Sequence, residues 1–113
     1  MRKGRKTLVC GGRDFWDIAR VYRTLCELQP SEIIEGGAGG ADELARDWAM
    51  VFDVPCTTVR ANWRLHGYRA GPIRNRKMLD EHKPEQVVAF PGGRGTANMV
   101  NIATAAGVDV IHA

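Results

Sequence analysis

The residues best suited to chemistry lie in a glycine-rich turn between an apolar run and a predicted helix. The turn Pro91-Gly92-Gly93-Arg94-Gly95-Thr96 follows residues 86–90 and precedes the alanine-rich segment 97–106. A strand, glycines and a helix start bind phosphate well, because glycine lets the backbone approach an anion and the first helical N–H groups point at it. Thr96 is expected to cap the helix and to offer its hydroxyl to a phosphate oxygen. A tight turn without a ligand has the same pattern, so the surroundings decide between the two.

Two further glycine-rich turns follow other apolar runs. Gly11-Gly12-Arg13-Asp14 comes after residues 7–10, and Gly36-Gly37-Ala38-Gly39-Gly40-Ala41-Asp42 comes after residues 32–35. The carboxyl ends of parallel strands lie at one edge of a sheet, so turns that follow such strands meet there. Three turns with few side chains on one edge would form a shallow site, which we predict to bind a ligand with phosphate and ribose. A coincidence of tight turns is the alternative.

The elements that must position these turns follow from the hydrophobic pattern. Apolar residues recur at three- and four-residue steps from Phe15 to Leu28 and from Ala41 to Phe52, as in helices that pack one face. Asp14 is expected to cap the first of these helices. Strands that alternate with helices predict an α/β, Rossmann-like three-layer domain with a mostly parallel, about five-stranded sheet. The predicted strands are 7–10, 32–35, 54–59, 86–90 and 108–111, the later helices are 73–81 and 97–106, and 61–68 is expected to be irregular.

Composition and charge narrow the class of protein. The 113 residues, 44% hydrophobic and 26% charged, suit a single globular domain over 1–113. No apolar run approaches the roughly 20 residues that a membrane span needs, and no signal-peptide pattern follows the basic residues 1–6, so we expect a cytoplasmic protein without membrane contact. The net charge of +3 fits an anionic ligand. It is too small to require nucleic acid, although the basic N-terminus leaves that alternative open.

Cysteine and histidine usage gives no sign of a metal or a cofactor. The three cysteines lack paired spacing, which argues against a disulfide framework and against a zinc site. Cys10 and Cys56 lie in apolar runs, so we expect buried thiols, and Cys26 is the third. The histidines show neither metal-ligand spacing nor a nucleophile partner. They are His66, His82 and His112.

As a set, the motifs resemble the YspA-like branch of the SLOG superfamily, whose small members are common in bacteria and their phages. The resemblance covers nearly the whole chain in order. It implies a Rossmann-like domain that binds nucleotides or nucleotide-derived ligands, in a superfamily that includes the LOG phosphoribohydrolases and the DNA-processing protein DprA. The matching segments are Gly11-Gly12-Arg13-Asp14-Phe15, Gly36-Gly37-Ala38-x-Gly40-Ala41-Asp42, Ala61-x-Trp63, Ala70-Gly71-Pro72-x-Arg74-Asn75-x-x-Met78 and Ala89-Phe90-Pro91-Gly92-Gly93-x-Gly95-Thr96-x-x-Met99.

One departure from the LOG enzymes bears on catalysis. Those enzymes carry a catalytic glutamate three residues after the threonine of the glycine turn, where this chain has Met99. Their arginine motif matches Arg74 and Met78 here, so the arginine is kept and the acid is missing. Cleavage of an N-glycoside passes through a cation-like sugar, which a nearby carboxylate stabilises. A carboxylate from another turn would have to replace the glutamate, and the candidates are Glu35, Asp14 and Asp42.

Four polar side chains are candidates for contacts to phosphate or sugar. Arg74 is expected in the first turn of the helix 73–81, where a cation is unfavourable unless an anion is near, so we predict that it binds phosphate. A surface arginine is the alternative. Asn75 either holds a base or sugar or caps the helix. Arg13 and Arg94 are expected beside glycine turns, where either can meet a phosphate.

The remaining candidates have both a functional and a structural explanation. Asp42 either accepts ribose hydroxyls or stabilises the first turn of its helix. Trp63 either stacks on a base or packs against the protein. Trp16 and Trp48 are expected on helices, in the core or at an interface. With Tyr22 they offer more aromatic surface than one small core needs, and LOG relatives dimerise, so we expect a homodimer.

Three functional hypotheses remain after the sequence analysis. The first is a module that senses or sequesters a nucleotide-derived small molecule, which the absence of a glutamate at position 99 favours. The second is an N-glycosidase that hydrolyses nucleoside 5′-monophosphates, with Arg74 and Glu35 as the candidate catalytic residues. The third is single-stranded nucleic-acid binding, as in the DprA relatives, supported only by the charge and the basic N-terminus.

Overall fold

A parallel β-sheet forms the centre of the computed structural model, which describes residues 4–113. Its strands are β1 (Lys6–Cys10), β2 (Glu32–Glu35), β3 (Cys56–Thr58), β4 (Gln86–Ala89) and β5 (Asp109–His112). They are ordered β3-β2-β1-β4-β5, and every neighbouring pair is parallel. The predicted α/β, Rossmann-like fold is therefore confirmed.

Helices cover both faces of the sheet and make the three layers. They are α1 (Ile18–Leu28), α2 (Ala41–Val51), α3 (Trp63–His66), α4 (Ala70–His82) and α5 (Arg94–Ala105), with a short 3-10 helix at Gly67–Arg69. Alternate strand residues point to opposite faces, so Leu8 packs with Met78 on one side and Val9 packs with Leu25 on the other. Side chains of α1 and α2 fill the core on the Val9 side, and side chains of α4 and α5 fill the core on the Leu8 side.

The start of α1 differs from the prediction. Asp17 caps the helix by accepting a hydrogen bond from Arg20 N at 3.0 Å, so the predicted cap at Asp14 is wrong. The chain first turns back over the sheet, because Phe15 N–H donates to Gly12 O and the Phe15 ring stacks on Phe90 at 5.4 Å. The helix therefore begins only at Ile18, whose side chain is mostly exposed.

Two later helices begin earlier than the sequence pattern suggested. The helix α5 starts at Arg94 with Gly93 as its N-cap, so Thr96 lies inside the first turn and is not the cap. The helix α4 starts at Ala70, which places Arg74 in the second turn. Proline is tolerated in a first turn because its missing N–H has no helical partner there, so Pro72 does not delay the helix.

The connection predicted as irregular contains a short helix. Asn62 caps α3 by accepting a hydrogen bond from Leu65 N at 3.0 Å, and the 3-10 helix leads directly into α4. The strand β3 is shorter than the predicted 54–59. Of the cysteines, Cys10 is buried as expected, whereas Cys56 is only half-buried.

The tryptophans are placed differently from one another. Trp48 is buried in the core, and its Nε1 donates to Cys26 Sγ at 3.3 Å. Trp16 is half-exposed and precedes α1, so the prediction that it lies on a helix is wrong. The burial of Trp48 removes part of the argument for a homodimer, which stays a prediction.

The nucleic-acid alternative depended partly on the basic residues 1–6. The first three of these residues lie outside the described range. Within residues 4–113, no helix combines the length and the apolar composition that a membrane crossing requires. The same part of the chain holds no group of three or more potential metal ligands.

The burial of Met99 in the core can be tested by substitution. Met99 is fully buried among Met78, Ala103 and their neighbours, as expected for a residue beneath the glycine turn. We predict that Met99→Glu lowers the free energy of unfolding by about 3–5 kcal/mol, because the new charge has no partner. The volume-conserving Met99→Leu should cost less than about 1.5 kcal/mol. Urea denaturation measures both, and equal stabilities of the two variants would contradict the assignment of Met99 to the core.

Candidate functional site

A cleft of about 490 Å³ opens at the carboxyl ends of β1, β2 and β4. This is the edge where the predicted turns were expected to meet, and residues of all three turns line the cleft. The helix α4 and the segment before it form the opposite wall. The predicted site residues on the cleft wall are Gly11, Gly12, Arg13, Gly36, Ala38, Asp42, Trp63, Arg74, Asn75, Gly93, Arg94, Gly95 and Thr96.

Four predicted ligand-binding residues do not line this cleft. Pro91 and Gly92 lie behind it, where Gly12 N–H donates to Pro91 O at 2.8 Å and joins the first turn to the third. Gly37 has a positive φ of 76° and donates its N–H to Glu35 Oε1. Asp14 is exposed at the start of the loop before α1. These residues shape the turns, and their contact with a ligand remains a prediction.

The candidate acid Glu35 is fully buried and already has partners. Its carboxylate accepts hydrogen bonds from Gly37 N at 2.6 Å and from the hydroxyl of Thr58, and it forms an ion pair with Arg46 at 3.2 Å. Its partner Arg46 lies on α2, on the face of the sheet that α1 and α2 cover, so Glu35 is not brought to the cleft wall. It therefore joins β2 to β3 and α2.

Arg74 reaches the cleft from α4 and is held at two points. Its Nη1 donates to Gly36 O at 2.6 Å, and its Nε donates to Asn75 Oδ1 at 2.9 Å. A Cβ on residue 36 would overlap Nη1, so only glycine leaves room for this arrangement. Burial lowers the pKa of the guanidinium, and the nearby Asp42 opposes that shift. Since Arg74 lies in the second turn of α4, burial and not the helix dipole is what makes its charge unfavourable without an anion.

Asn75 connects Arg74 to the third glycine turn. Its amide is buried, and its Nδ2 donates to Gly95 O at 3.1 Å and to Asn98 Oδ1 at 3.0 Å. Its oxygen accepts from Arg74, so every polar hydrogen and the carbonyl of the amide have partners. Asn75 is thus not a helix cap. It fixes the position of Arg74 relative to the first turn of α5.

Asp42 supplies a carboxylate to the cleft wall from the first turn of α2. The residue is only 6% exposed, and its Oδ2 accepts hydrogen bonds from Gly36 N at 3.1 Å and Ala38 N at 3.3 Å. Burial raises its pKa to about 6 and Glu35 adds to the rise, whereas the two N–H groups and Arg74 oppose it. The carboxylate is therefore ionised at neutral pH but is less stable than an exposed one.

The rim of the cleft is basic and aromatic. The Arg13 guanidinium lies over the Trp63 ring at 5.5 Å from its centroid, a cation–π contact. Trp63 is half-exposed and lines the cleft, so it does not serve only to pack the core. Arg94, the first residue of α5, lines the same cleft from the third glycine turn.

Comparisons with known proteins identify the family of the chain. The model of the YspA, cpYpsA-related SLOG family matches residues 5–66, more than half of the chain. The chain belongs to this family. It is also 36% identical over 120 residues to the Gene 61 protein of Mycobacterium phage D29, an alignment that covers 96% of this chain and 95% of the phage protein. Membership confirms the resemblance and supports a nucleotide-related role in general, in binding or in modification.

The cleft of this SLOG protein is also lined by residues that the sequence analysis missed. Tyr68 and Asn98 line the cleft, and so does Cys10. Asn98 lies four residues after Arg94, on the same face of α5, and helical spacing from the glycine turn would have found it. Burial raises the pKa of the Cys10 thiol to about 12, with a further rise from Asp42, so this thiol is no nucleophile at neutral pH.

The raised pKa of Asp42 leads to a prediction about stability. Between about pH 4 and pH 6, the folded protein binds more protons at Asp42 than the unfolded chain does, so stability falls as the pH rises. The loss is complete above about pH 6 and is on the order of 3 kcal/mol. Asp42→Asn keeps an oxygen for the two N–H groups and removes the charge. We predict that it stabilises the protein at pH 7.5 and not at pH 4.

Urea denaturation at the two pH values measures this effect. Glu43→Gln is the matched control, because Glu43 lies next to Asp42 in α2 but its side chain is 45% exposed. The control should change stability by less than about 0.5 kcal/mol at either pH. An advantage of Asp42→Asn that is the same at pH 4 and pH 7.5 would disprove the assigned pKa.

Proposed function

We propose that this SLOG protein binds a nucleotide or a nucleotide-derived small molecule, with its phosphate at the first turn of α5, and acts as a sensor or sequestering module. The observation that carries this proposal is the convergence of three arginines on a cleft floored by glycine turns: Arg13, Arg74 and Arg94. The geometry of the turn, the balance of charge and the aromatic rim each support it.

The first turn of α5 is available to an anion. The first N–H of the helix to find a helical partner is that of Ala97, which donates to Gly93 O at 3.0 Å. No side chain caps the turn, and Gly93 and Gly95 are exposed on the cleft wall. The preceding N–H groups therefore present the positive end of the helix dipole to the cleft, as in phosphate-binding helix starts.

The balance of charge on the cleft wall also favours an anion. Three guanidinium groups face one carboxylate, that of Asp42, among the described residues that line the cleft. Burial already makes the charge of Arg74 unfavourable, and a phosphate would offset that penalty. Planar guanidinium groups match phosphate oxygens in two parallel hydrogen bonds.

The aromatic rim gives a nucleobase a surface on which to stack. Trp63 and Tyr68 are exposed and line the cleft beside the start of α4. Stacking of a base on an aromatic ring tolerates any base, because every base has a π-face. This rim therefore suits the part of the ligand that lies farther from the phosphate.

Binding without hydrolysis fits the placement of the carboxylates. Met99 stands where LOG enzymes have their glutamate and is buried in the core, and Glu35 is engaged on the other side of the sheet. One observation favours the alternative N-glycosidase, namely the Asp42 carboxylate on the cleft wall with its pKa of about 6. A carboxylate at that position would be the candidate to stabilise a cation-like sugar. A homodimer and single-stranded nucleic acid as a partner remain predictions from the sequence.

Removal of Arg74 tests the proposal. We predict that Arg74→Ala weakens the binding of a nucleoside 5′-monophosphate or ADP-ribose by about 1.5–3 kcal/mol, which is about 10- to 100-fold in Kd. The control is Arg76→Ala on the same helix, whose side chain is 55% exposed and pairs with Asp80 at 3.8 Å. A thermal-shift screen selects the ligand, and calorimetry measures its Kd. Equal affinities in the two variants would refute a phosphate contact by Arg74.

Stability needs its own measurement in this experiment. Arg74→Ala also loses the hydrogen bonds to Gly36 O and Asn75, so we expect a loss of about 1–3 kcal/mol in the free energy of unfolding. Circular dichroism at the temperature of calorimetry shows that the variant is folded. The comparison of affinities then concerns the site alone.

A search for free base separates the two functions. We predict that the unmodified protein, incubated with nucleoside 5′-monophosphates, releases no base above the uncatalysed rate by chromatography. Turnover that disappears in Asp42→Asn and in Arg74→Ala, and persists in Arg76→Ala, would replace the binding module with an N-glycosidase. The absence of turnover in a protein that binds the nucleotide would support the sensor or sequestering role.

A further inference from the structure

Asp42 and Glu35 are two buried acids beside the same glycine turn, yet the protein uses them differently. Every hydrogen bond to Asp42 from residues 4–113 reaches Oδ2, from Gly36 N and Ala38 N. Glu35 is bonded through both oxygens, to Gly37, Arg46 and Thr58 among others. Both carboxylate oxygens of Glu35 therefore have partners within the fold. The second oxygen of Asp42, Oδ1, receives no hydrogen bond from the described residues.

This arrangement is costly for the folded protein. Asp42 is more than nine-tenths buried, and no cation of the described residues forms an ion pair with it within 4 Å. The charged and titratable groups that face it are Glu35 from β2, Arg74 from α4 and Cys10 from β1. A buried carboxylate with a free oxygen at a cleft is stabilised by a donor that enters the cleft.

The distance from Asp42 to the turn 91–96, where we propose that phosphate binds (the phosphate turn), limits which hydrogen-bond donors can reach Asp42. Asp42 follows β2 and the phosphate turn follows β4, and β1 lies between these strands. Two spacings between neighbouring strands separate the turns by about 10 Å. The two glycines between them, Gly11 and Gly12, have no side chains that would interrupt the path. A sugar phosphate, with hydrogen bonds at each end, has the length to reach from one turn to the other.

We propose that Asp42 accepts hydrogen bonds from the vicinal hydroxyls of a ribosyl phosphate, so that the cleft selects ribosyl over deoxyribosyl phosphates. The inference rests on the proposed function, because the phosphate at α5 sets the distance to the sugar. It assigns Asp42 a role in ligand specificity.

The chemistry of a carboxylate explains the choice of hydroxyls. An ionised carboxylate only accepts hydrogen bonds, so it needs a donor and repels a second phosphate. Sugar hydroxyls adjacent to the phosphate are neutral donors at the right distance. The base is the more distant part of a nucleotide, and the aromatic rim at Trp63 and Tyr68 offers it a separate surface.

Three sugar phosphates test the proposal without a choice of base. They are ribose 5-phosphate, 2-deoxyribose 5-phosphate and 3-deoxyribose 5-phosphate, with inorganic phosphate as the anion alone. Binding is measured by calorimetry or by NMR titration at pH 7.5. We expect the unmodified protein to bind ribose 5-phosphate about tenfold more tightly than at least one deoxy sugar, as for a hydrogen bond to a charged group.

Two variants test whether the preference for ribose 5-phosphate depends on Asp42. In Asp42→Asn, ribose and deoxyribose phosphates should bind within about twofold of each other, because a neutral amide accepts a weaker hydrogen bond. Inorganic phosphate should bind at least as well as before, since the repulsion by the carboxylate is gone. The control Glu43→Gln should keep the full preference, because Glu43 does not line the cleft.

The pH dependence of the unmodified protein gives a measurement that does not depend on a variant. We compare the affinities for ribose 5-phosphate and for a deoxyribose 5-phosphate as a ratio. Both ligands carry the same phosphate group, so the protonation of that phosphate does not change the ratio. It should fall towards one as the pH is lowered through about 6, where Asp42 becomes protonated. A preference that survives below pH 5, or that survives in Asp42→Asn, would overturn the proposal.

The outcomes separate this inference from the proposed function. If inorganic phosphate and all three sugars bind equally and their binding depends on Arg74, the anion site stands and the role of Asp42 is refuted. If none of the four binds while a nucleoside 5′-monophosphate does, the role of Asp42 is refuted and the proposed function stands; if the nucleotide does not bind either, both proposals fall. If the deoxy sugars bind as tightly as ribose 5-phosphate while a complete nucleotide binds more tightly, the base provides the affinity and the role of Asp42 is again refuted.

Discussion

The arrangement of the candidate site depends on the backbone of Gly12. Its N–H donates to Pro91 O at 2.8 Å, and its carbonyl accepts from Ala41 N at 3.2 Å, so it joins the turns after β1, β2 and β4. The contact is so close that a Cβ on residue 40, whose φ is 67°, would overlap Gly12 O. The glycines thus have a structural role, because they let the turns after three strands approach one another.

This close approach also decides how the charges are arranged. Gly36 donates its N–H to Asp42 and accepts a hydrogen bond from Arg74 through its carbonyl, so the backbone of one residue positions an acidic and a basic side chain. Asn75 continues the chain of hydrogen bonds from Arg74 to the first turn of α5. The charged groups of the cleft are therefore fixed by backbone contacts, and their burial shifts their pKa values. Such preorganised charge would lower the ordering cost of the anion binding that we propose.

Much of the architecture could be predicted because it follows from local patterns. Apolar runs of four or five residues, each followed by glycines and then by a helical pattern, indicate parallel strands whose turns share one edge. The strand β2 has the predicted bounds, β1 and β4 each differ by one residue at one end, and β5 is shifted by one residue at both ends. The predicted helix starts were less accurate. Asp17 caps α1 in place of Asp14, because Phe15 first packs on Phe90 and delays the helix. The helices α4 and α5 begin without a side-chain cap, so no cap motif marks their first residues.

The amino-acid pattern alone was sufficient for the fold class, for the edge of the sheet that carries the cleft and for most residues of the cleft wall. It did not distinguish Glu35 from Asp42, two acids beside one turn. Only the packed structure shows that Glu35 is engaged with Arg46 and Thr58 while Asp42 faces the cleft. The reason is physical: a turn sequence sets local backbone geometry, whereas the partner of a buried charge lies on elements far along the chain.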